Sequence, residues 1–299
     1  MKSVDIKPLL SPEWGMVDQH AVTTQFGATI QFNAHYVKKV QCTFQRSYPG
    51  LSFAVKIGDT VWQDVTVDGE TLSFAVPDNM TDVAITVMLR TIACDSLTLW
   101  SEQVILLGMS VDQGDITPIE INKPFITFVG DSISAGEDMA IDGHHPELSY
   151  PYLVATALNK PMSRIAYGGT GLTAHAPFQQ PTAIEALWHV AENVARRRVI
   201  TDLVIVNYGT NDFNYHATAD SFAFGLRIYL LELIKRFHTA RIILLVPLNG
   251  AFKTVFQEEI KRFSQFTLFD ASQWLATDER VHPNILEHQQ IAEYILKGI

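Results

Sequence analysis

Phe125-Ile126-Thr127-Phe128-Val129-Gly130-Asp131-Ser132-Ile133 is the stretch on which the fold turns. Its first five residues are apolar except for Thr127, a strand-length run of the kind buried on both faces of a parallel sheet. A polar, glycine-bearing segment follows at once. Downstream the pattern repeats: strands over 164–167, 203–206, 242–246 and 267–269, helices over 151–158, 181–198, 219–238, 254–263 and 283–296. Phe222, Leu226, Leu230, Leu233 and Phe237 recur at helical spacing, as do Ile184, Leu187, Ala191, Val194 and Ala195. Five mainly apolar strands alternating with helices predict a doubly wound α/β domain with a five-stranded parallel sheet. Sites in such sheets lie at the carboxyl ends of the strands.

Upstream the pattern is different. Leu51–Lys56 and Thr60–Val67 flank a Gly58-Asp59 turn, and Glu70–Val76 and Asp82–Thr91 flank Pro77-Asp78-Asn79. A further strand is expected from Ser96 to Leu107. Many short strands without a helical period predict an N-terminal β-sandwich, jelly-roll-like, over residues 1–118. Asp112–Pro124 reads as the linker, and the α/β domain as residues 119–299. The two cysteines, Cys42 and Cys94, fall in expected strands and read as buried free thiols, consistent with a reducing compartment.

Composition narrows the partners. Of 299 residues, 47% are hydrophobic and 18% charged, which excludes a disordered or low-complexity chain. The net charge is −10, with 7 basic against 14 acidic residues up to residue 120 and 15 against 18 beyond it. Neither part carries the basic field that nucleic-acid binding needs. Arg196-Arg197-Arg198, the one basic cluster, is expected to end a surface helix, where cations complement the dipole. The longest apolar run, Ile242–Leu248, is too short to span a bilayer. With no apolar segment at its start, the chain is expected to be cytoplasmic.

Four segments carry candidate chemistry. Gly130-Asp131-Ser132-Ile133, Tyr167-Gly168-Gly169-Thr170-Gly171 and Gly209-Thr210-Asn211-Asp212 each follow a strand, and Asp278-Glu279-Arg280-Val281-His282-Pro283-Asn284 stands near the end. A serine hydroxyl needs a base to become nucleophilic, and histidine is the usual one near neutral pH. An acyl-transfer transition state develops an oxyanion, which prearranged backbone N–H groups and an Asn amide can hold. Taken singly, Ser132 could cap a helix, His282 could pack beside one, and Gly169 and Asn211 could serve turns. Asp131 and Asp212 read as structural carboxylates that bond loop backbone. Gly169–Ala174 fits a dinucleotide fingerprint, but Pro177 and Pro181 block the long helix it requires. His144-His145 lack a third metal ligand and read as solvated loop residues. Tyr167, Tyr208, Phe213, Tyr215 and His216 are divided between pocket lining and packing. Ser132 also lacks the Gly-x-Ser-x-Gly elbow of α/β-hydrolases, since position 134 is Ser.

Taken together, these four segments resemble the blocks of the SGNH, or GDSL-type, hydrolases over residues 125–299. The resemblance implies Ser132 as nucleophile, Gly169 and Asn211 as oxyanion donors and His282 as base. The family usually has Asp three residues before the histidine; here that position is Glu279, with Asp278 one residue earlier. Glu279 is the first candidate for the acid and Asp278 the second; a Ser-His dyad with a backbone carbonyl is the third. A sandwich directly before such a domain, the stretch Leu97–Gly108 and Tyr167–Leu172 resemble the acetyl esterases of carbohydrate esterase family 2. The resemblance implies a serine esterase acting on short acyl, above all acetyl, esters of a small-molecule or oligosaccharide substrate, without metal or organic cofactor. A GDSL-type lipase, lysophospholipase or thioesterase is the alternative, followed by a phosphodiesterase or transferase and a non-catalytic carbohydrate-binding protein.

Overall fold

The structure, a computed structural model, describes residues 1–94, 96–276 and 280–299. They fall into two units: Met1–Asn122 with His189–Arg197, and Lys123–Trp188 with Arg198–Ile299.

In the second unit the apolar run is a strand, β1 (Phe125–Gly130), buried throughout. It is joined by β2 (Met162–Ala166), β3 (Thr201–Asn207), β4 (Arg241–Val246) and β5 (Phe266–Asp270) in a parallel sheet. The order is β2-β1-β3-β4-β5. The chain therefore leaves β1 toward one edge and returns to build the other, and a crevice opens at the reversal beside β1 and β3. The helices are α1 (Ser132–Ala135), α2 (Tyr150–Ala157), α3 (Ala183–Trp188), α4 (Thr210–Asn214), α5 (Ala219–Phe237), α6 (Lys253–Ile260) and α7 (Ile285–Gly298). Ile126, Phe128, Ile205, Ile243 and Leu245 form one core with Tyr150 and Val154 of α2 and Ile291 and Ile295 of α7. By strand alternation Val204, Val206, Ile242 and Leu244 face the other way, and they too are buried. On α5 the residues expected at helical spacing, Phe222, Leu226, Leu230, Leu233 and Phe237, are all buried.

The first unit is a sandwich of two antiparallel sheets. One contains Gly15–Val17, His20–Thr23, Val104–Val111, Lys39–Phe44 and Thr71–Ala75 in that order, with Lys2–Val4 also on Val104–Val111. The other runs Asp115–Pro118, Thr29–His35, Asp82–Thr91, Ser52–Ile57 and Gln63–Thr66. Their inner faces share one core, in which Phe44 of the first sheet stacks on Phe53 of the second at 5.5 Å.

Five expectations need correction here. Residues 96–107 are not one strand. Ser96–Glu102 is a helix that stops where Gln103 turns left-handed (φ 47°), and only then does the strand Val104–Val111 begin. Leu99 and Trp100 are both buried, an adjacency that a half-buried strand with its period of two does not allow. The helix expected to Arg198 ends at Trp188. His189–Ala191 and Val194–Ala195 form a small hairpin through Asn193 (φ 60°). Val190, Ala191 and Val194 bury themselves against Val22, and the Thr24 hydroxyl donates to the Val190 carbonyl. Arg196 is buried with its guanidinium on Gln25, so the basic cluster does not end a surface helix. Tertiary packing has overridden a helical spacing. Part of the expected linker, Asp115–Pro118, is an edge strand paired with Thr29–His35. Cys42 is buried in a strand, where burial pushes its thiol up to about 12; Cys94 lies half-buried outside any strand, and neither forms a disulfide among the described residues.

Candidate active site

Three loops leave the parallel sheet at one level, because Gly130 of β1 is in register with Ala166 of β2 and Asn207 of β3. Ser132 follows Gly130 by two residues, Gly169 follows Ala166 by three, and Asn211 follows Asn207 by four. Gly130 is required at this start, since a Cβ there would lie 2.3 Å from the Ser134 hydroxyl. Asp131 caps α1, its carboxylate accepting the Ile133 N–H at 3.1 Å. Ser132 opens that helix, so its own N–H has no acceptor within the helix. Glycine at position 136, left-handed at φ 83°, closes the helix after a single turn.

The central contact joins Ser132 to His282. The serine Oγ and the imidazole Nε2 are 2.8 Å apart. His282 is held at the entrance to α7, whose first turn is a capping box. Asn284 accepts the Glu287 N–H, and the Glu287 carboxylate accepts the Asn284 N–H. Burial lowers the His282 pKa from its usual value, and Asp138 opposes that shift. The ring is thus neutral near pH 7, and the serine hydroxyl donates to its Nε2.

The second and third loops are tied to each other. Asn211 is buried and donates one amide hydrogen to the Thr170 carbonyl at 2.9 Å, which leaves the other. Asp212 accepts from the N–H groups of Leu172 and Thr173 and from the Thr173 hydroxyl. A Cβ at Gly171 would meet the Asp212 carboxylate at 2.7 Å. Gly169 is left-handed (φ 70°), and the Phe178 ring lies so close that a Cβ would come within 1.9 Å of it. Among the described residues the Gly169 N–H has no acceptor. Asp131 and Asp212 bond loop backbone, as expected. Burial raises both pKa values, that of Asp131 to about 7 with a further push from the Asp212 charge.

Glu279 and Asp278, the expected acids, lie outside the described residues. Asp138 was missed by sequence reasoning, and its Oδ2 stands 3.8 Å from His282 Nδ1. No motif marks it; its only signal is its place six residues after Ser132 in the loop that leaves α1. His144 and His145 are not solvated. The His145 ring is buried between Asp142 and Glu147, 2.9 Å from each, and His144 accepts the Asp138 N–H at 3.0 Å. Tyr167 and Tyr208 are buried packing residues, whereas Phe213, Tyr215 and His216 are exposed. No group of three or more potential metal ligands occurs among the described residues. A cavity of about 300 Å³ adjoins His282, lined among others by Ile133, Thr210, Asn214, Leu248, Asn249 and Arg280.

A serine and a histidine paired at the carboxyl edge of a doubly wound sheet define the class: a serine ester hydrolase. The chain belongs to the GDSL-like lipase/acylhydrolase family, whose profile matches residues 128–285. No curated protein matches it in sequence. Among solved structures it is similar to a family two carbohydrate esterase from Clostridium thermocellum in complex with cellohexaose. That pair shares 19% identity over 97% of each chain with a TM-score of 0.82. An acetyl xylan esterase from the rumen bacterium Butyrivibrio proteoclasticus is 17% identical over 95% of this chain and 92% of its own, with a TM-score of 0.73. A salicylyl-acyltransferase from a tetracycline biosynthetic pathway is 14% identical over 99% and 97%, with a TM-score of 0.71. The shared coverage extends the likeness in fold to the sandwich as well as the parallel sheet. No helix among the described residues is long and apolar enough to cross a membrane.

Proposed function

We propose that this enzyme removes short acyl groups, above all acetyl, from a carbohydrate. The observation that carries the chemistry is the 2.8 Å contact between Ser132 Oγ and His282 Nε2. As Oγ attacks the ester carbonyl, its proton passes to Nε2. The Gly169 N–H, the free Asn211 amide hydrogen and the Ser132 N–H hold the oxyanion. His282 then gives the proton to the leaving sugar hydroxyl. Water attacks the acyl-serine with His282 again as base, and the acid is released. For the group that steadies His282 the sequence offers Glu279 first, Asp278 second and a backbone carbonyl third.

The acyl and alcohol sides have separate support. On the acyl side, the Phe178 ring packs directly on Gly169, one of the oxyanion donors. The cavity beside His282 is at the small end of ligand pockets, about 300–1,000 Å³, and Thr210, Asn214, Asn249 and Arg280 give it polar walls suited to hydroxyls. The likeness in fold to carbohydrate esterases favours the same substrate class.

Hydrolysis of p-nitrophenyl acetate, butyrate and octanoate by wild type and Ser132→Ala tests this. A steep preference for acetate, abolished in the variant, is expected, followed by acetate release from acetylated sugars. A preference for octanoate would move the function to a lipase or thioesterase. Acyl transfer to an added alcohol in place of water would make it a transferase. Undiminished turnover by Ser132→Ala would remove Ser132 as nucleophile.

A further inference from the structure

We infer that Asp138 is a positioning carboxylate of this site, set against His282 from the loop behind the nucleophile. The inference rests on the Ser132–His282 reading above. With Nε2 committed to Ser132, the imidazole has one other nitrogen, Nδ1. Asp138 Oδ2 stands 3.8 Å from it, and no other described carboxylate lies within 4 Å.

The loop is built to hold that carboxylate. Asp138 is left-handed (φ 49°), a conformation that non-glycine residues adopt rarely and Asp and Asn most readily. Its N–H is anchored on His144 Nδ1, and its Oδ1 lies 3.3 Å from the same nitrogen. The next residue, His145, closes the loop by donating its N–H to the Gly136 carbonyl at 2.8 Å, while its ring is clamped by Asp142 and Glu147. Asp138 is therefore fixed at both ends of a short excursion that begins at the C-terminus of α1.

A separation of 3.8 Å is too long for a hydrogen bond. The attraction grows when proton transfer from Ser132 makes the imidazolium, and contacts of this kind tighten in the reacting complex. Asp138 faces Nδ1 and favours the charged ring. Its side chain is 60% exposed, so solvent screens the effect to well below that of a buried triad acid. Among the described residues, two other charged or titratable groups lie near His282. His288 is fully buried and neutral, and Arg280 is paired with Glu287 at 2.9 Å.

The test is the pH dependence of kcat and KM on p-nitrophenyl acetate for the full chain, comparing wild type, Asp138→Asn and Asp138→Glu, with Ser132→Ala as reference. Asparagine keeps the left-handed backbone, so the fold is retained, which urea midpoints check. Asp138→Asn is expected to lower kcat about tenfold, with KM changed less than twofold. It also moves the acid limb of kcat to lower pH, because the charge that favours the imidazolium is gone. Asp138→Glu recovers part of the loss. An unmoved acid limb and unchanged kcat in Asp138→Asn, beside an inactive Ser132→Ala, overturns the proposal alone. So does the same loss and shift appearing in Glu279→Gln instead. Full activity in Ser132→Ala removes the reading beneath the proposal, and the proposal with it.

Discussion

Asp131 is buried directly before the nucleophile, with one carboxylate oxygen on the Ile133 N–H and the other, Oδ2, without a hydrogen-bond partner. A protonated carboxyl suits that setting, and burial raises its pKa to about 7. Between the ordinary carboxylate value, near 4, and 7 the folded state binds more protons than the unfolded state. Stability from this group is therefore complete below about pH 4 and is lost as pH rises through 7, by up to about 1.4 kcal/mol per pH unit. His288 works the other way. Burial lowers its pKa to about 3, so below about pH 6.5 acidification costs stability. Asp131→Asn keeps the cap and removes only the first slope. Urea midpoints between pH 4 and 8 are expected to show the variant gaining on wild type as pH rises to 7 and level thereafter; parallel curves would sink this account. Neither shift is visible in the sequence, where Asp131 and His288 are ordinary titratable residues. Ser132, Gly169, Asn211 and His282 were legible because each sits in a short motif after a recognisable element. Asp138 was not, because its position relative to His282 exists only once the chain has folded.

Among the elements, α7 connects stability to chemistry. Its capping box begins two residues after His282, so the same hydrogen bonds start the helix and fix the segment that carries the base. Asn284→Ala removes the cap and is expected to cost about 1 kcal/mol in urea unfolding. It is also expected to lower kcat more than it raises KM, as His282 loses its fixed approach to Ser132; unchanged kcat at reduced stability would separate the two roles. The parallel strands were readable because runs such as Phe125–Val129 and Ile242–Val246 are apolar on both faces. Two assignments failed for opposite reasons. Residues 96–102 coil into a helix although their composition suits a strand. Residues 189–195 keep a helical spacing of Ala191, Val194 and Ala195, yet become strands because Val22 and Thr24 offer packing and a hydrogen bond that a helix could not use.

For the whole molecule, the division into units is not a division into two stretches of chain. The polypeptide passes from the first unit to the second after Asn122, returns at His189 and leaves again after Arg197. The fragment 123–299 contains every candidate catalytic residue, but it strands the hairpin. Val190, Ala191 and Val194 lose Val22, and Arg196 loses Gln25. That fragment is expected to aggregate or to unfold at lower urea than the full chain. A monodisperse fragment of full stability by size-exclusion chromatography and urea titration would contradict this.

The returning hairpin also sets a timetable for synthesis. A nascent chain emerges N-terminus first at roughly 5–20 residues per second, and a unit made of one continuous stretch can fold as soon as it is out. Here the sandwich is still incomplete when Asn122 emerges, because its remaining piece follows the whole of residues 123–188. For those seconds Val22 and Gln25 are without the residues that cover them. Translation speed through 123–188 thus fixes how long that surface is open to chaperones or to neighbouring nascent chains.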